Sequence, residues 1–204
     1  MASAGISGTE GYADEAEYLF KRYESISAAE THKAVLHLIP AAPARILDVG
    51  AGTGRDAAWL ASLGHRVVAV EPTDAMRLPA AKLHPSPAIE WLDDSLPQLA
   101  LMRSRGEFDL ILLSAVWMHF DDEQRAQAMA TLAALLRTAG TLIMRVRHGP
   151  VPTGRRMFEI PDEETVELAR LQGLRTVLNQ RVESVQQVNR DAGVSWTHLV
   201  FAKK

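Results

Sequence analysis

Asp48, Gly50, Gly52, Gly54 and Glu71 form the most informative constellation in the chain. The glycines directly follow a short apolar run, so the backbone can turn tightly there and approach a ligand with no Cβ in the way. Glu71 ends the next apolar run, where a carboxylate accepts hydrogen bonds from both hydroxyls of a ribose. The pattern predicts a ribose-containing ligand at the carboxyl ends of the strands. Asp48, just before the first glycine, is badly placed beside a pyrophosphate and well placed beside an ammonium or sulfonium group. A dinucleotide fingerprint needs a small residue at the last position of G-x-G-x-x-G/A, and here that position is Arg55. The bland alternative, a plain strand-to-helix turn beside solvated acids, explains either acid alone better than both at this spacing.

The elements that must position this loop are legible as alternation. Residues 45–49 (RILDV) and 66–70 (RVVAV) read as short buried strands, with a helix over 55–63 between them. A helix over 73–83, a strand over 89–92 and a weaker helix over 96–103 follow. Residues 108–113 (FDLILL) are the most apolar strand, 121–137 the clearest helix with a stop at Gly140, and 141–146 a fifth strand. Near-continuous apolar strands alternating with helices imply a parallel sheet covered on both faces. Residues 149–161, with several prolines, predict a loop over one edge, and 162–173 an acid-capped helix. Strands over 174–185 and 194–202, joined by a short polar link at 189–193, predict a hairpin and hence an antiparallel last strand. The expected fold is α/β, a Rossmann-like doubly wound sheet of seven mostly parallel strands. Upstream, residues 1–11 predict an irregular end, and 14–39 a helical region broken near Ser25 to Ser27 and ended by Pro40. Residues 1–44 are thus expected to be a helical cap, and 45–204 one compact binding domain.

Composition narrows the function classes. The chain has 204 residues, 47% hydrophobic and 23% charged, which suits one folded domain. A net charge of -3 provides no global field to recruit nucleic acid or an anionic membrane surface. With no cysteine, disulfides, thiolate metal sites and a cysteine nucleophile are excluded, and no metal site is expected. No apolar run approaches a membrane span. These features predict a cytoplasmic protein with a small-molecule substrate, no membrane partner and no nucleic acid, and leave the oligomeric state open.

On the Asp-x-Gly-x-Gly-x-Gly loop and Glu71, the chain resembles the class I S-adenosylmethionine-dependent methyltransferases over residues 46–146. The resemblance implies S-adenosylmethionine as cofactor, with Gly50, Gly52 and Gly54 cradling its methionine and ribose, Glu71 on the ribose hydroxyls and Asp48 near the methionine amino end. It implies an acid contacting the adenine, either Asp94 or its neighbour Asp93, with the Ser95 backbone reaching the ring. Carbonyls near Ser114 would receive the methionine ammonium, and the residues after them would face substrate, which brings in Trp117 and His119. Each has a competing reading, Trp117 as plain core and His119 as a structural cap. His119 is the candidate general base, needed only where the acceptor loses a proton. Tyr12, Tyr18, Tyr23 and His32 of the cap, and Arg155, Arg156, Met157 and Phe158 of the loop, are possible lining. Arg145 and Arg147 share one face of the fifth strand, where a basic group suits an anionic acceptor; ordinary surface ion pairing is the alternative. The expected activity is methyl transfer to a small acceptor; a regulatory protein that keeps the pocket without turnover, or a nucleotide-dependent oxidoreductase, are the alternatives.

Overall fold

Among the described residues seven strands form one sheet, whose central strands present apolar side chains to both sides, so that only a layer of helices on each face removes both from water; the edge strand Leu174–Glu183 is mostly exposed. The computed structural model describes residue 6 and residues 8–204. Its strands are β1 (Arg45–Val49), β2 (Arg66–Val70), β3 (Ile89–Leu92), β4 (Phe108–Ser114), β5 (Leu136–His148), β6 (Leu174–Glu183) and β7 (Ser195–Lys203). The α-helices are α1 (Ala16–Glu24), α2 (Ala28–Thr31), α3 (Arg55–Ser62), α4 (Asp74–Leu83), α5 (Asp122–Leu135), α6 (Asp162–Leu171) and α7 (Gln187–Asp191). The strand order is β3-β2-β1-β4-β5-β7-β6, with β7 antiparallel to both its neighbours and the other pairs parallel. Succession reverses between β1 and β4, and that switch point opens a crevice at the carboxyl ends of the strands.

The core lies on both faces. Leu47, Ile111, Leu113 and Met144 pack with Met129 and Leu132 of α5, while Ile46, Leu110, Leu112 and Ile143 pack with Ala57 and Leu60 of α3 and with Val35. Truncating one such leucine to alanine costs about 2–5 kcal/mol.

Several predicted boundaries move. The helical region expected over 14–39 breaks at Ser25 to Ser27 as expected, where Ser27 caps α2 by accepting from the Glu30 N–H at 3.3 Å, but its last part is a 3-10 turn at Lys33–Leu38. The helix expected over 96–103 is only a 3-10 turn, Ala100–Ser104. The helix expected to reach 137 ends at Leu135, and the strand expected at 141–146 runs from Leu136 to His148. Leu136 is buried in the core and pairs with Phe108, and the chain then bulges with Ala139 at φ 61° before regular pairing resumes. The expected antiparallel pairing of β6 and β7 is present, but their link is longer than residues 189–193 and holds α7. Part of the irregular stretch expected over 1–11 lies outside the described residues; in the rest, Thr9 and Tyr12 donate N–H bonds to Ile6 and Thr9 carbonyls, so ordered turns precede Tyr12.

Candidate active site

Asp48, Gly50, Gly52, Glu71, Asp94, Ser95, Ser114, His119, Tyr23 and Arg147 all border one cavity of about 290 Å³ at the carboxyl ends of the strands. Two expected residues do not. Trp117 is fully buried, its indole Nε1–H donating to Thr165 Oγ1 at 2.9 Å, so it belongs to the core beneath α6 rather than to a substrate wall. Gly54 starts α3 at φ +83°, where a Cβ would stand 2.5 Å from Trp91, so its glycine serves packing rather than ligand approach.

The loop after β1 is built by the strands around it. Gly50 and Ala51 N–H groups both donate to the Val70 carbonyl at 2.8 and 2.9 Å, which fixes the loop against the end of β2. Glu71 then ties it down from the side: Oε2 accepts from the Gly52 N–H at 3.0 Å and Oε1 from the Thr73 N–H at 2.8 Å. Each oxygen keeps a lone pair for a ligand. Gly52 has φ +56°, and a Cβ built there meets nothing closer than the Gly50 carbonyl at 4.0 Å, so a side chain would enter open cavity. Burial raises the Glu71 carboxyl above its ordinary value against the pull of those N–H bonds.

Asp48 is buried, with Oδ2 lacking any hydrogen-bond partner. Burial, reinforced by the negative field of Asp56, raises its carboxyl well above the ordinary range. An unsatisfied buried acceptor of this kind is what a cationic or donor group of a ligand would complete. Asp56 differs although it is buried nearby: burial works to raise it, but His32 at 2.9 Å and Arg55 at 2.7 Å hold it below the usual carboxylate range.

The turn that follows places the paired acids differently. Asp93 is an exposed partner of Arg77 at 3.5 Å, whereas Asp94 borders the cavity. The Asp94 carboxylate accepts from the N–H groups of Ser95, Ala100 and Leu101 at 2.9, 3.1 and 2.8 Å, which leaves about one of its roughly four acceptor sites free.

His119 sits at the end of the 3-10 turn Trp117–His119. Its Nδ1 lies 2.7 Å from the Arg156 carbonyl, which can only accept, so Nδ1 carries the hydrogen and Nε2 accepts from the Tyr12 phenol at 3.0 Å. Burial lowers the imidazole pKa and raises that of Tyr12, so both are neutral together. His119 therefore borders the cavity beside Tyr12, not alone. Arg147 borders the cavity but donates to the Gly149 and Pro150 carbonyls at 3.2 and 2.8 Å, so it clasps the loop after β5. Of the other possible lining, Tyr12, Arg155 and Met157 border the cavity, Tyr18 is exposed, and His32 is buried against Asp56. Arg22, Gln186, Asn189 and Trp196 also line it and were not legible. Trp196 faces Arg147 only through the antiparallel β5–β7 register, which no local pattern encodes.

Fold and site together define a Rossmann-like domain with a cavity at the carboxyl ends of the strands, bordered by the glycine loop and by both acids and arginines. Residues 46–140 match the family model described as a methyltransferase domain. The chain is 30% identical over 133 residues to an uncharacterized methyltransferase of Bacillus pumilus, covering 65% of this chain and 57% of that one. It is 28% identical over 141 residues to glycine N-methyltransferase of Oryctolagus cuniculus, covering 56% and 46% respectively. The chain thus spans about half the length of the curated relatives it matches. Among solved structures it superposes with a TM-score of 0.69, at 24% identity and over 100% of this chain and 93% of the other, on 1,6-didemethyltoxoflavin-N1-methyltransferase of Burkholderia thailandensis, solved with 1,6-didemethyltoxoflavin and S-adenosylhomocysteine. Over residues 46–140 the chain is thus similar to methyltransferases, and it shares the fold of the Burkholderia thailandensis enzyme.

Proposed function

We propose that this chain transfers a methyl group from S-adenosylmethionine to a small, anionic acceptor. The observation that carries this reading is the continuity of one cavity, which runs from the glycine loop with Asp48 and Glu71 to a wall of tyrosines and arginines under the N-terminal cap. Asp48, with its orphaned oxygen, would face the methionine ammonium; Gly52 leaves room for the cofactor, Glu71 would hold the ribose hydroxyls, and Asp94 with Ser95 the adenine. S-adenosylmethionine, when bound, supplies an electrophilic methyl group and leaves as S-adenosylhomocysteine. The chain's own contribution is chiefly positioning, which is worth about 7–11 kcal/mol where two reactants are held in line.

Where the acceptor carries a proton, Tyr12 and His119 form the route for it. The acceptor's proton passes to the Tyr12 oxygen as the phenol's own proton moves to His119 Nε2, and the Arg156 carbonyl holds the resulting imidazolium through Nδ1–H. The described part of residues 1–44, from Gly8 onward, acts as the cap that keeps water from this route. The absence of cysteine suits a reducing cytoplasm.

Calorimetry with S-adenosylhomocysteine and NAD, followed by a turnover assay for S-adenosylhomocysteine release across fractionated small anionic metabolites, tests the proposal. Binding of NAD in preference to S-adenosylhomocysteine refutes it.

A further inference from the structure

Five arginines border the cavity: Arg22, Arg55, Arg145, Arg147 and Arg155. All but one are committed to the protein itself. Arg55 pairs with Asp56 and Arg155 with Glu15, each at 2.7 Å. Arg147 clasps the Gly149 and Pro150 carbonyls, and Arg22 donates to the Gln186 and Asn189 side chains. Arg145 differs. It is 7% exposed, its Nε is buried without a partner, and its guanidinium makes no hydrogen bond or ion pair among the described residues. Its Cζ lies 3.5 Å from the centre of the Trp196 ring, and the Nε1 of that indole is a second buried donor with no acceptor.

Among the described residues no carboxylate pairs with this cation. His198 stands opposite Arg145 on β7 and is uncharged at neutral pH, since burial and then Arg145 and His32 pull its pKa down to about 3. Asp56 contributes some attraction, but its oxygens are taken by His32 and Arg55. Burial lowers the pKa of Arg145 only to about 9, so the group stays charged. A buried guanidinium without an acceptor is costly, and a bound anion removes that cost. The planar fork of Arg matches two carboxylate oxygens, and stacking on an indole fixes its plane.

We propose that Arg145, stacked on Trp196, seats a carboxylate of the methyl acceptor, carried on a planar aromatic frame that fits beside Tyr12, Tyr23 and Trp196. The assignment rests on the reading of the cavity as an S-adenosylmethionine site. It places the acceptor's anion over β5 and β7, away from the acids on β1 and β2 that would hold the cofactor.

The test uses the whole chain saturated with S-adenosylhomocysteine and titrated with benzoate, with benzamide as the neutral counterpart. Calorimetry should detect benzoate and not benzamide. In Arg145→Met the benzoate affinity should fall about tenfold or more, the loss of a hydrogen-bonded ion pair, while S-adenosylhomocysteine binds as before and reports that the variant is folded. Should Arg145→Met fail to fold, Arg145→Lys carries the test, because it keeps the charge and loses the fork; weaker benzoate binding with unchanged S-adenosylhomocysteine binding supports the assignment. Benzoate that binds either variant as it binds the wild type overturns it, as does no binding of benzoate to the wild-type complex or equal binding of benzamide. A fall in S-adenosylhomocysteine affinity in folded Arg145 variants also overturns it, by assigning the guanidinium to the cofactor's own carboxylate. Failure of S-adenosylhomocysteine to bind the wild-type protein refutes the cofactor reading itself, which separates the two.

Discussion

Glu71 has two tasks in one side chain, because the oxygens that would face a ribose also hold the Gly52 and Thr73 amides. Glu71→Ala should therefore weaken S-adenosylhomocysteine binding by at least about tenfold, as charged acceptors are lost and the loop is loosened together. Calorimetry on the folded variant checks this, and an unchanged affinity removes Glu71 from the site. Gly52→Val places a branched side chain in open cavity at a positive φ, so cofactor binding should vanish while the circular dichroism of the sheet remains. Tyr12 and His119 make a sharper pair. If they pass a proton, Tyr12→Phe and His119→Ala should each lower kcat by about 10²–10⁴ with little change in cofactor affinity, and the double variant should lose little more than either single one. The acid limb of the kcat profile should lie below the ordinary histidine value, since burial lowers the His119 pKa. Wild-type turnover in both single variants would leave positioning as the whole of the chemistry. The glycines and Glu71 were legible because their spacing is local. The Tyr12–His119 bond was not, because it joins residues 107 apart in the chain.

Among the elements, α5 links stability to the site. Its capping box joins Asp121 and Gln124, and Asp121 also pairs with Arg156 at 2.8 Å, the residue whose carbonyl orients His119. Asp121→Ala should cost about 1 kcal/mol as a lost cap. It should also lower kcat, because the loop segment around Arg156 loses an anchor. Urea unfolding and kcat measured side by side separate the two effects; a stability loss with unaltered kcat confines Asp121 to the cap. The acidic start of α5 was plain from its sequence, yet its end was misplaced. Helix propensity continues through Leu136 and Arg137, and only the pairing of Leu136 with Phe108 draws the chain into β5.

The molecule as a whole carries a buried polar layer between the N-terminal helices and the sheet, where His32, Asp56, Arg145 and His198 meet. His198 makes that layer acid-sensitive. Its pKa is near 3 in the folded chain against 6.5 unfolded, so the unfolded state binds more protons between those values. Stability therefore falls as pH drops below about 6.5, and the loss is complete only below about 3. Replacing it with a residue that cannot titrate, as in His198→Asn, should flatten the decline of Tm with acid over that window. A variant that follows the wild-type curve would assign the acid limb to other groups.

Parallel strands buried on both faces read as apolar runs, and a glycine loop with its acid is a local device, so fold class, strand sequence and the glycine-loop side of the cavity were open to reading from residue order. Register and side-chain partnership are not local. Whether Trp117 faced substrate or core depended on α6 supplying Thr165, and whether Arg145 or Arg147 stayed free depended on which carbonyls the loop after β5 brought within reach. Arginines two apart on one strand look alike in sequence because alternation sends both to the same face. The fold separates them, giving one backbone acceptors to clasp and the other an indole to lie against, because burial makes each hydrogen-bonding partner decisive.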